Sequence, residues 1–125
     1  MNTFALLTGS LFGFLAVLFG AFGAHYLKKK LSKAQLQSFE TGVKYQMYHS
    51  IVLLLLGFQT SFKNLNLTIY FFSIGVFLFS FSIYGLVISD YRNKKLKFLG
   101  PITPLGGLFL LLGWGSLVYL TLINL

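Results

Sequence analysis

The chain has 125 residues, over half of them apolar, with ten Lys and Arg against two Asp and Glu for a net charge of +8. A soluble domain is about one-quarter charged, and a particle this small has too much surface per volume to stay dissolved with so few charges. The absence of cysteine excludes disulfides and thiolate metal sites, and cations confined to short connections read as orientation signals rather than a nucleic-acid face.

A bilayer core of about 30 Å needs about 20 apolar residues as helix. Four stretches approach that length, and spans are expected at about 3–27, 40–61, 66–89 and 102–123. They show no alternation of polar and apolar residues, and an open sheet edge cannot sit in lipid. The expected fold is therefore all-α, a single membrane domain of four transmembrane helices. The first stretch lacks a cation before it and has a lysine cluster after it, the reverse of a secretory signal, so it reads as a span.

That first span carries small residues at four-residue steps: Gly9, Gly13, Ala16, Gly20 and Ala24. Lipid is as apolar as leucine, so helices associate through close backbone approach and interhelical hydrogen bonds. The stripe predicts a centrally placed first span with two neighbours against it. Next, Ser32 precedes Gln35 by three residues, a capping-box spacing. Leu36, Phe39, Val43 and Met47 follow at helical intervals, so a short amphipathic inner-surface segment should run into the second span. In the third span Gly75, Ser82 and Ser89 recur every seven residues. Gly106 and Gly113 do so in the fourth, where Thr103 and Pro104 read as an N-cap and first-turn proline.

The cations sort by loop. Lys28, Lys29, Lys30, Lys33 and Lys44 lie between the first two spans, and Arg92, Lys94, Lys95 and Lys97 between the last two; only Lys63 lies on the other side. Both basic loops are expected in the cytoplasm of a plasma-membrane protein, with both termini outside.

Polar groups at membrane depth usually face the protein interior. Counted from the nearest charge at 1.5 Å per residue, His25, His49 and Tyr84 lie roughly 5, 7 and 9 Å deep. Tyr45, Gln46 and Glu40 fall at or just below that level, and Thr103 could close the layer. Interhelical hydrogen bonding is its first reading, with a proton or ion path next, making the protein a small transporter or channel. A haem held by His25 and His49 is a weaker third. No nucleophile constellation, phosphate loop or dinucleotide fingerprint accompanies these residues. The chain therefore reads as non-enzymatic and cofactor-free. Its expected partners are membrane lipids, other membrane proteins or further copies of itself, and no nucleic acid.

The segments Gly20-Ala-Phe-Gly-Ala-His25, Phe39-Glu-Thr-Gly-Val-Lys-Tyr-Gln-Met-Tyr-His49, Leu78-Phe-Ser-Phe-Ser-Ile-Tyr84 and Gly100-Pro-Ile-Thr-Pro-Leu-Gly-Gly107, with Gly113-Trp114, resemble the domain of unknown function 423 family. These are small four-span membrane proteins of the transmembrane protein 256 type. The resemblance implies the four-span fold and no particular activity. It directs attention to Thr41, Gly42, Ser80, Pro101 and Pro104 besides the polar layer. One departure is Phe81, where the family pattern has glycine; a repacked neighbour should compensate.

Overall fold

The computed structural model describes all 125 residues, and every regular element in it is helical: α1 (Thr3–His25), α2 (Lys33–Phe58), α3 (Asn66–Tyr91) and α4 (Ile102–Ile123), with 3-10 turns at Leu27–Lys29 and Lys97–Leu99. Three helical stretches are long and apolar enough to cross a membrane: Thr3–Lys29, Asn66–Tyr91 and Lys97–Ile123. The remaining helix, α2, has 26 residues, long enough to span, but Lys33, Glu40, Lys44, Gln46 and His49 lower its hydropathy.

Local chemistry sets the helix ends. The Asn2 side chain accepts from Ala5 N and caps α1. Ser32 and Gln35 make a reciprocal capping box at the start of α2, so this helix begins at Lys33 and incorporates the amphipathic segment without a break. At the end of α3, Asn93 adopts φ 58°, while Asn93 N and Lys94 N bond to the carbonyls of Asp90 and Ser89. This is a Schellman closure with asparagine in the left-handed position glycine usually fills. Ahead of α4 the cap is Pro101, not Thr103. Thr103 lies inside the first turn and spends its hydroxyl on Ser82, 2.6 Å away. Pro104 is tolerated there because first-turn amides need no partner within the helix.

Packing follows chain order, with α1 along α2, α2 along α3 and α3 along α4, while α1 barely meets α3. The expectation of a central α1 is therefore corrected: α2 and α3 occupy the middle, and α3 carries the most buried residues. Aromatic rings explain the separation. Phe81 sits between the helices, its ring 6.3 Å from Phe12 and 6.4 Å from Phe19 and 5.5 Å from Tyr84. The residue that departs from the family pattern thus fills the space between α1 and α3.

Asn2 N donates to Gly57 O and Asn2 Nδ2 to Asn66 Oδ1, gathering the starts of α1 and α3 with the end of α2. At the other end Gln35 Nε2 donates to Asp90 Oδ2 at 2.9 Å. Both lysine-rich loops therefore lie at that second end. The faces turned away from neighbours are apolar, with Leu7, Phe14 and Val17 on α1, Tyr48, Ile51 and Leu55 on α2, Tyr70 and Phe77 on α3, and Leu111 and Val118 on α4 all exposed.

Candidate functional site

Two features combine polar chemistry with a defined geometry: a hydrogen-bonded seam through the middle of the helices and a groove at the basic end. The seam starts from the small residues of α1. A β-carbon on Gly9 would stand 3.0 Å from Ser50 O, and one on Gly13 would stand 2.7 Å from Ser50 Oγ. The missing side chains let Ser50 reach the α1 backbone and donate to Gly9 O at 2.6 Å. The contacting stripe continues through buried Ala16 and Gly23, with Gly23 against Phe39. Gly20 is looser, 3.5 Å from Val43, and Ala24 is exposed, so the expected role of Ala24 in packing is corrected. A strict four-residue step drifts about 40° around a 3.6-residue helix. Alternating steps of four and three, which select Gly23 over Ala24, hold the seam.

Gln46 is wholly buried and ties three helices together. Its Nε2 donates to Phe12 O on α1 at 2.8 Å, and its Oε1 accepts from the Tyr84 hydroxyl on α3 at 2.7 Å. One turn away, Ser80 Oγ donates to Gly42 O, and a β-carbon on Gly42 would lie 2.7 Å from the Tyr84 ring. His49 joins α4. Its Nδ1 is 2.6 Å from Tyr45 O, and Trp114 Nε1 is 3.1 Å from its Nε2. A carbonyl can only accept and an indole N–H can only donate. His49 is therefore the neutral tautomer with its proton on Nδ1. Every buried side-chain nitrogen and oxygen has a hydrogen-bond partner.

The expected polar layer is only partly assembled. Gln46 and Tyr84 meet directly. His49 is buried but bonds to Trp114, Thr103 bonds to Ser82 nearer the basic end, and Tyr45 is exposed on one side while packing on Phe79 at 4.8 Å. His25 and Glu40 are exposed and take no part. Counting depth from Lys44 misleads because that lysine lies within α2, which extends eleven residues further to Lys33. The level of His49 on α1 is that of Gly9 and Gly13, so His25, twelve residues beyond Gly13, lies roughly 18 Å further along. A site shared by His25 and His49, whether for haem or for a proton path, does not form. Ser50 and the backbone carbonyls of Gly9 and Phe12 escaped the sequence reading, and Trp114 entered it only through the family resemblance, not as a partner of His49.

The α3–α4 contact is made at three glycines. A β-carbon on Gly106 would overlap the Phe79 backbone, one on Gly113 would stand 2.7 Å from the Phe72 ring, and one on Gly75 would meet Leu110. Thr68 and Ser116 hydroxyls bond at 2.8 Å. At the basic end α2, α3 and α4 leave a groove of about 540 Å³. Ser38 and Thr41 line it from α2, Val87 and Asp90 from α3, and Lys95 and Thr103 from the loop before α4 and its first turn. Lys28, Lys29, Lys30, Arg92, Lys94 and Lys97 are exposed nearby, Lys30 with its ammonium 4.7 Å from the Tyr26 ring centre.

Long apolar helices with a satisfied polar interior and an apolar exterior define a helical membrane protein. The comparisons give the particular family: residues 19–107 match DUF423, a protein family of unknown function. The UPF0382 membrane protein of Staphylococcus epidermidis is 40% identical over 124 residues, 98% of this chain and 97% of its own length. The UPF0382 membrane protein of Staphylococcus aureus strain RF122 is 39% identical over 123 residues, 97% and 96% of the two chains. That of Schizosaccharomyces pombe is 34% identical over 110 residues, 87% and 93%. The chain belongs to this family of membrane proteins. No solved structure matches it.

Proposed function

We propose that this is a non-enzymatic four-span plasma-membrane protein that acts by binding membrane components at its surface, including other proteins or its own copies. Both basic loops face the cytoplasm in this reading, and both termini face outward. The observation that carries it is the division of labour among polar groups. Those buried between helices, Gln46, His49, Ser50 and Tyr84, are bonded within the chain. The concave surface that stays open and carries charged side chains, Asp90 and Lys95, is the groove at the basic end; the polar hollow at the other end, lined by Asn2, Gln59 and Asn66, carries none.

The place of α2 as the fourth span rests on the same observation. Gln46, His49 and Ser50 are buried against neighbouring helices, so the face left for lipid is Tyr48, Ile51, Leu55 and Phe58. Polar groups that lower the average hydropathy cost little when each is paired inside the protein. Sidedness is read from the eight cations at one end, with Lys44 partway along α2, against Lys63 at the other.

The test is photo-crosslinking in the native membrane from probes at Ser38 in the groove and at Leu7, Ile51 and Val118 on the outer faces. Discrete adducts, of lipid or protein, are expected from at least one position. A chain that gives none and is strictly monomeric in mild detergent contradicts the reading.

A further inference from the structure

The groove at the basic end carries two opposite charges on separate walls. Asp90 on α3 is engaged through one oxygen, Oδ2, by Gln35, which leaves Oδ1 free; Lys95 lines the same groove from the loop before α4. The Schellman turn at Asn93, together with a bond from Leu96 N to Ser89 Oγ at 3.1 Å, fixes the path of the chain on either side of Lys95. Ser38 lines the same groove from α2, and Thr41, Val87 and Thr103 line it further along their helices toward the apolar zone. The groove therefore passes from a charged mouth to a partly apolar floor, at the end of the helices where their lipid-facing surfaces stop.

We infer that this groove holds the headgroup of an aminophospholipid, with the phosphate at Lys95 and the primary ammonium at Asp90. The inference deepens the reading of the protein as a binder of membrane components and rests on it. Charge complementarity selects the occupant. A phosphate alone would be served by Lys95 with the exposed Lys94, Lys97 and Arg92, and Asp90 would repel it. A headgroup carrying both charges meets both walls, and a primary ammonium donates hydrogen bonds to a carboxylate that a trimethylammonium cannot. The volume of about 540 Å³ accommodates a headgroup with the start of its glycerol ester region.

Purified full-length protein in mild detergent is exchanged with equal amounts of phosphatidylethanolamine, phosphatidylcholine and phosphatidylglycerol, and retained lipid is counted by native mass spectrometry. Phosphatidylethanolamine is expected to be retained roughly tenfold over the other two, the effect of one net hydrogen bond to a charged group. Asp90→Asn should abolish the preference, and Lys95→Gln should weaken all three lipids. Ser38→Leu, which fills the groove without touching the Gln35–Asp90 bond, should also remove it and serves as a second variant if Asp90→Asn unfolds. Stronger retention of phosphatidylglycerol would mean a simple basic patch and overturn the inference, as would equal retention or an Asp90→Asn preference like the native one. A folded chain without lipid preference defeats only this inference, whereas a chain that stays soluble without detergent defeats the membrane reading beneath it.

Discussion

Gly106 shows how much a single hydrogen atom decides in this fold. Because its missing β-carbon would overlap the Phe79 backbone, Gly106→Ala must push α3 and α4 apart along their length. We expect a loss of about 1–3 kcal/mol, measured by thermal or denaturant unfolding in detergent. Gly115, with nothing within 4 Å of the added carbon, is the control: Gly115→Ala should leave stability unchanged or slightly raised, since alanine favours helix. The polar seam gives a second test. Tyr84→Phe removes the donor to Gln46 Oε1 but leaves Gln46 bonded to Phe12 O, so its cost should be about 1 kcal/mol or less. Gln46→Leu removes the acceptor of the Tyr84 hydroxyl and the tie to Phe12 O, which keeps its bond within α1, and should cost more. Equal costs for the two would contradict the three-helix geometry around Gln46.

The single tryptophan, Trp114, reports on the contact between α2 and α4. His49→Leu removes the acceptor of its indole N–H and should change the emission spectrum, while His25→Leu should not, because His25 is exposed at the far end of α1. Residue type and burial at Gln46, His49 and Tyr84 were legible in the sequence, since polar groups in apolar surroundings seek the interior. Their partners were not. For Gln46 and His49 they include the backbone carbonyls of Phe12 and Tyr45, as the carbonyls of Gly9 and Gly42 serve Ser50 and Ser80; carbonyls are the same in every residue and carry no signature in the side-chain pattern.

Elements differ in how far sequence signals position them. The start of α2 follows from Ser32 and Gln35, whose reciprocal bonds the spacing predicts. Ser32→Ala should therefore cost about 1 kcal/mol, seen as a lower unfolding midpoint. The start of α4 is misread from Thr103 because an N-cap signal is local, whereas the pull of Ser82 on the Thr103 hydroxyl comes from another helix. The small-residue stripe of α1 is read correctly at Gly9 and Gly13 but not at Ala24, where helical drift turns the side chain outward and Gly23 takes its place. The centrality of α1 fails for a related reason. A stripe on one face serves one neighbour, and the aromatic residues Phe12, Phe19 and Phe81 keep α3 at a distance on the other.

For the whole molecule the decisive feature is that polar and charged groups are sorted by position. Uncharged polar groups pair between helices, cations gather at the end where Gln35 meets Asp90, and apolar side chains cover the outside. Our account requires α2 to cross the bilayer although it is the least apolar of the four helices. Chain topology tests that requirement directly, and the chain's lack of cysteine makes it an unmodified background. Lys29→Cys, Lys63→Cys and Lys94→Cys would each be labelled in intact cells with a membrane-impermeant maleimide. The account predicts that position 63 is labelled from outside, while 29 and 94 react only after the membrane is opened. Labelling of 29 and 63 from the same side, with 94 on the other, would mean that α2 lies along the surface and would contradict the four-span fold.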